Sequence, residues 1–167
     1  MNKTLILNSK QIQQKINRLA YEIVENNYNE KEIIVAGIAN NGFILAKKIV
    51  AVLNKISIIK TKLIEIKIDK KNPLSTEIKL TITEKELQNM VIILVDDVLN
   101  SGKTLIFGAK QFLSSPIKRL TTVILVDRGH NLYPIKADYV GLSLSTTLKE
   151  NITVEMNKKG KEAVYLS

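Results

Sequence analysis

The 167-residue sequence has no cysteine and a single histidine, His130. The first absence excludes a disulfide framework, a thiolate zinc site and a thiol nucleophile, and the second excludes any multi-histidine metal centre. No apolar run approaches the roughly 18–20 residues a membrane-spanning helix needs, and the opening MNKTLILNSKQ lacks the layout of a secretory signal. A cytoplasmic protein with no membrane partner is expected. Arginine is scarce as well. Of 25 basic residues only Arg18, Arg119 and Arg128 are arginines, against 16 acidic ones, for a net charge of +9. The lysines are scattered, Lys158, Lys159 and Lys161 being the densest group, which describes a solvated basic surface. A positive field of this kind also suits an anionic small substrate or a polyanion.

What is present is the composition of a folded domain, 45% apolar and 25% charged. The length suits one domain, residues 1–167, with a real core. Ser9 can cap a helix running to about Asn27, with Ile12, Ile16, Leu19 and Ile23 on one face. IIVAGI (33–38) is continuously apolar, as a buried parallel strand is. The turn 39–42 and a helix from Phe43 to about Leu53 follow. Residues 56–68 alternate Ile with Lys or Glu, KKNP (70–73) interrupts them, and Glu77–Thr83 alternates again, which predicts an inserted β-hairpin. Met90–Asp96 is a second buried strand, residues 103–113 a helix, Leu120–Val126 a third strand. Short strands are expected at Ala137–Gly141, 152–156 and 162–166. Strands alternating with helices give an α/β fold with a mainly parallel central sheet flanked by helices. Ligands of such sheets sit beyond the carboxyl ends of the strands, where the loops 39–42 and 96–104 fall.

The segment VIILVDDVLNSGKT (91–104) carries the chemistry. A buried strand delivers Asp96 and Asp97 to the sheet edge, and a short turn with Ser101, Gly102 and Thr104 opens a helix. Turn amides and a helix N-terminus offer donors and partial positive charge to a phosphate. Adjacent acids serve ribose hydroxyls, or a magnesium ion bridging hydroxyls and phosphates. Gly102-Lys103-Thr104 ends like a Walker A loop, but Asp97 stands where its first glycine is required. No GxGxxG occurs, so a dinucleotide fold has no support. The alternative is two acids that merely cap the helix.

This segment resembles the phosphoribosyl-pyrophosphate (PRPP) loop of type I phosphoribosyltransferases, and VDRGHNLYPIKADYVG (126–141) resembles one subgroup of them. That subgroup comprises the pyrimidine-operon attenuation regulators that double as uracil phosphoribosyltransferases. The resemblance implies the type I fold with a flexible inserted hairpin and a short C-terminal hood. The implied reaction transfers ribose-5-phosphate from PRPP, with magnesium as cofactor, to a nucleobase such as uracil, releasing pyrophosphate. Asp96 and Asp97 become the catalytic, ribose- and magnesium-binding acids. Val98, Leu99, Asn100, Ser101, Gly102, Lys103 and Thr104 hold the 5′-phosphate, and Asn40, Asn41 and Gly42 form the pyrophosphate loop. Arg128 matches a substrate-binding arginine, Lys70 or its neighbour Lys71 a basic residue of the lid, and Ile152 a backbone contact to the base. His130 and Tyr133 are left as structural.

Two departures stand out. The family's pyrophosphate loop ends in Thr-Arg-Gly, whereas Asn40-Asn41-Gly42 here lacks the charged clamp. The first helix keeps Arg18 but has Tyr21 where the RNA-binding regulators have histidine. The implied partners are PRPP, a nucleobase or nucleoside monophosphate, a second copy of the chain in a homodimer or higher oligomer, and RNA if the regulator role is kept.

Overall fold

The computed structural model describes residues 3–70, 72–74, 78, 80–158 and 160–167. Strand β1 (Thr4–Leu7) leads into helix α1 (Ser9–Asn27). The cap of α1 is Asn8, one residue earlier than expected. Its side chain accepts from the Gln11 amide while the Gln11 side chain accepts from the Asn8 amide, both at 2.9 Å, a reciprocal box that Ser9 cannot form. Ser9 Oγ instead donates to Glu162 at 2.6 Å.

Five strands make one parallel sheet in the order β3-β2-β4-β5-β6. They are β2 (Glu32–Ile38), β3 (Lys60–Ile66), β4 (Val91–Leu99), β5 (Arg119–Asp127) and β6 (Tyr139–Ser143). The central strands β2, β4 and β5 are buried along almost their whole length, which is why they read as unbroken apolar runs. Helices α2 (Asn41–Ile56) and α4 (Lys103–Leu113) cover the sheet, with α3 (Glu84–Leu87) a single turn capped by Thr83 and Glu86. One core lies under α1 and α2, around Ile16, Leu19, Ile49 and Val95. The other lies under α4, around Phe112, Ile66, Leu94 and Ile124. Strands β7 (Ile152–Glu155) and β8 (Ala163–Leu166) join β1 in a separate antiparallel sheet ordered β1-β8-β7, the expected hood.

The α/β class and the parallel sheet match the expectation, and the inserted hairpin does not. Residues 60–66 pair in parallel with β2 as an edge strand of the main sheet. Ile78 and residues 80–83 carry no strand; Glu77 and Lys79, on which the return strand also rested, lie outside the described residues. An edge strand with one face buried shows the same period-two pattern as a hairpin arm. Strand β6 begins two residues later than expected: the Thr122 amide of β5 donates to the Asp138 carboxylate at 2.7 Å instead of to a ladder carbonyl. Helix α2 begins two residues earlier, directly after the left-handed Asn40.

Candidate functional site

At the carboxyl end of β4 a cleft of about 320 Å³ is lined by residues 96–105 together with Lys70 and Ile152. Strand β4 runs through Asp96, Asp97 and Val98 to Leu99, so the acids are held by sheet pairing and only 100–102 turn toward α4. Gly102 sits at φ 81°, a left-handed conformation favouring glycine, and a Cβ there would approach Ile135 to 2.8 Å. The N-terminal turn of α4 therefore opens onto the cleft with Lys103, Thr104 and Leu105 in its wall.

The loop after β5 braces this turn. The amides of Leu132 and Tyr133 donate to the Ser101 carbonyl at 2.9 and 3.0 Å, and the Arg128 amide donates to that of Leu99 at 2.9 Å. The Arg128 guanidinium is buried and donates to Asn100 Oδ1 at 3.0 Å, to the Thr146 hydroxyl at 2.9 Å and to the Thr147 carbonyl at 3.1 Å. Arg128 thus stands outside the cleft lining and positions Asn100 from behind. His130 faces the Thr146 carbonyl at 2.8 Å in the same loop.

The acids occupy unequal environments. Asp96 is enclosed by β4 and α2; burial first, then the neighbouring Asp97 charge, push its carboxyl up to about 8 against the pull of Lys70. Burial would raise Asp97 too, but the Lys70 charge and hydrogen bonds from Asp96, Lys70 and Asn41 outweigh it and hold that carboxyl below its ordinary value. Lys70 Nζ bridges Asp96 Oδ1 at 2.8 Å and Asp97 Oδ1 at 2.9 Å. Burial alone would lower the pKa of the Lys70 ammonium, yet attraction to the two acids leaves it raised.

Of the residues expected at a pyrophosphate loop, Asn40, Asn41 and Gly42, none lines the cleft. Asn41 Nδ2 donates to Asp97 Oδ2 at 3.0 Å and to the Val154 carbonyl of β7 at 2.8 Å, joining the hood to the acid. No local pattern announces that contact. Lys70 and Ile152 do reach the cleft, whereas Lys71 lies outside the described residues. Arg18 donates to the Val140 and Gly141 carbonyls of β6, and Tyr21 is 55% exposed.

Residues 3–158 match the phosphoribosyl transferase domain family. The bifunctional protein PyrR of Fusobacterium nucleatum subsp. nucleatum is 35% identical over 97% of this chain and 96% of its own length. That of Streptococcus suis is 36% identical over 96% and 95%. Among solved structures, the hypoxanthine phosphoribosyltransferase of Trypanosoma cruzi superposes with a TM-score of 0.76 at 14% identity, covering 96% of this chain and 95% of that one. A hypoxanthine-guanine phosphoribosyltransferase from Bacillus anthracis gives 0.67 at 24% identity, covering 87% and 85%.

Proposed function

The chain belongs to the phosphoribosyl transferase domain family, among the relatives of the bifunctional PyrR proteins, and on that premise we propose that it transfers ribose-5-phosphate from PRPP to uracil. One observation carries the reading: a single cleft combines a buried acid pair with the N-terminal turn of a helix. The spacing suits a ribose 5-phosphate, with hydroxyls toward the acids and phosphate toward the amides of Ser101 to Thr104. The whole chain, 1–167, acts as one cytoplasmic domain. Among its described residues no helix is long and apolar enough to cross a membrane.

In this reaction the bond between the anomeric carbon and pyrophosphate breaks, its electron pair leaving on pyrophosphate, and a ring nitrogen of the base forms the new bond to that carbon as its N–H proton passes to solvent. Positive charge develops on the sugar, so orientation and electrostatic stabilisation do the catalytic work. Ionised Asp97 accepts from a ribose hydroxyl and keeps the ring fixed, while Asp96 supports it from behind. Ile152 presents β7 to the base, and Arg128 holds Asn100 and the phosphate turn in register.

The donor set suits magnesium, a hard cation that takes one or two carboxylates and completes its shell with water and substrate phosphates. Among the described residues no group of three or more His, Cys, Asp or Glu closes around an ion, so no all-protein cage competes with that arrangement. Asp96 and Asp97 would hold the ion, and when bound it neutralises charge on the departing pyrophosphate.

The test is incubation with PRPP, magnesium and a panel of bases, following pyrophosphate release. Release with uracil, abolished in Asp97→Asn with the thermal midpoint nearly unchanged, is the expected result. Absence of release with every base, together with unchanged monophosphate binding by Asp97→Asn, overturns the assignment.

A further inference from the structure

Two carboxylates from successive residues are buried side by side in the cleft, their side chains 2% and 11% exposed. Such a pair repels itself and needs a counter-charge. Among the described residues Lys70 is the one cation within ion-pair distance of either acid, and its Nζ touches both. The contact joins segments 26 and 27 residues apart in sequence. Backbone anchoring comes from Ile68, buried in the core under α4, while the Lys70 side chain keeps 37% exposure. A lysine is a compact point charge on a flexible four-carbon stem. Its head can leave the acids for solvent without moving the anchored segment.

We propose that the Lys70 ammonium is the resident counter-cation of the Asp96–Asp97 pair, and that a divalent cation enters the cleft by displacing it. The inference rests on the reading of these acids as the cation and ribose site. It adds that Lys70 already balances the charge of the acids from within the cleft, so that cation binding is an exchange. A ligand that arrives without a cation leaves the lysine in place; one that brings a divalent ion sends the lysine head out.

Manganese alone, titrated into the full chain without nucleotide and read by the electron paramagnetic resonance of the free ion, measures the exchange directly. Lys70→Gln should bind manganese at least about tenfold more tightly than wild type. Lys70→Arg, which keeps a cation at the end of a long stem, should stay near wild type. Adding Asp97→Asn to Lys70→Gln should abolish the gain. Equal or weaker manganese binding by Lys70→Gln overturns the proposal. Should that variant not fold, the wild-type chain still decides: manganese should raise acetylation of Lys70 by a lysine-reactive ester, read by peptide mass spectrometry. Unchanged or lower labelling overturns the exchange. Neither readout needs turnover. A chain that shows exchange but releases no pyrophosphate loses the proposed activity and keeps this inference; the converse pattern removes this inference alone.

Discussion

Asn41→Arg probes the loop where the family resemblance places an arginine and this chain has Asn41. Both hydrogens of the Asn41 amide are used, one toward the Asp97 carboxylate at 3.0 Å and one toward the Val154 carbonyl at 2.8 Å. The native side chain therefore has no donor to offer a pyrophosphate group. Arginine at this position supplies a charge-assisted donor, a bond worth about 1.5–3 kcal/mol, or roughly a 10- to 150-fold gain in affinity. The gain should be confined to PRPP, since a nucleoside monophosphate carries no pyrophosphate. The substitution also removes the neutral bond to Val154, worth about 0.5–1.5 kcal/mol. At about 2–4 °C per kcal/mol for a chain of this size, the thermal midpoint should fall by a few degrees. Calorimetry of PRPP with magnesium and of uridine monophosphate, on wild type and variant, separates these effects. Selective tightening of PRPP at a slightly lower midpoint is the expected pattern. Unchanged PRPP affinity, or an equal shift of both ligands, refutes the placement of a pyrophosphate subsite beside residue 41.

Asn40 has φ 67° and ψ −121° with no capping hydrogen bond from its side chain, a strained conformation costing about 1–3 kcal/mol in a non-glycine residue. Asn40→Gly relieves that strain against up to about 1 kcal/mol of extra chain entropy; the thermal midpoint should hold or rise, and a fall of several degrees refutes the strain. Glu162 is buried and accepts from Ser9 Oγ and Lys48 Nζ, both at 2.6 Å; burial would raise its carboxyl, but these bonds hold it down to about 2 from an ordinary 4.5. A depressed carboxyl contributes stability that is full above pH 4.5 and lost as the pH falls toward 2. Urea unfolding at pH 6 and pH 3 should therefore show a steeper loss in wild type than in Glu162→Gln, and equal losses refute the assignment.

The legible parts of the fold were those specified by neighbours in sequence. Strands β2, β4 and β5 are apolar runs because both faces are covered, and α4 lies between a left-handed glycine at 102 and Ser114-Ser115-Pro116. The alternation through 60–66 was equally plain, but period two reports that one face is buried and is silent on which strand lies alongside. Hence a hairpin arm was expected where a parallel edge strand stands. Strand β1 was missed because four residues are too short to show a period and its partner, Leu166 opposite Thr4, lies at the other end of the chain. The cap of α1 was misplaced by one residue between two capping-competent side chains; Gln11, three residues beyond Asn8, was the signal that decides it. In the site, the acid pair and the phosphate turn were readable because strand, acids, glycine and helix are contiguous. The contacts Asn41–Asp97, Asn41–Val154 and Arg128–Asn100 span 56, 113 and 28 residues, and nothing local encodes them.

Those long-range contacts alter what residues 40–42 do. A Cβ on Gly42 would come within 2.9 Å of Asp96 Oδ1 and 3.0 Å of the Val95 carbonyl, so α2 seats on β4 only because position 42 has no side chain. With the helix so close, the residue before it reaches the next acid along the strand, and Asn41 binds Asp97. Successive residues of α2 thus meet successive acids of β4: Gly42 closes over Asp96, and Asn41 supplies a hydrogen bond to Asp97. The difference in environment follows from this seating. Burial and then the Asp97 charge push the Asp96 carboxyl up to about 8, whereas Asn41 adds to Lys70 in holding the Asp97 carboxyl below its ordinary value. Lys70 Nζ lies against both carboxyls and supplies the counter-charge from the cleft side. Residues 41 and 42 thus shape the surroundings of both acids, and the identity of residue 41 bears on the carboxylate that a ribose hydroxyl would meet.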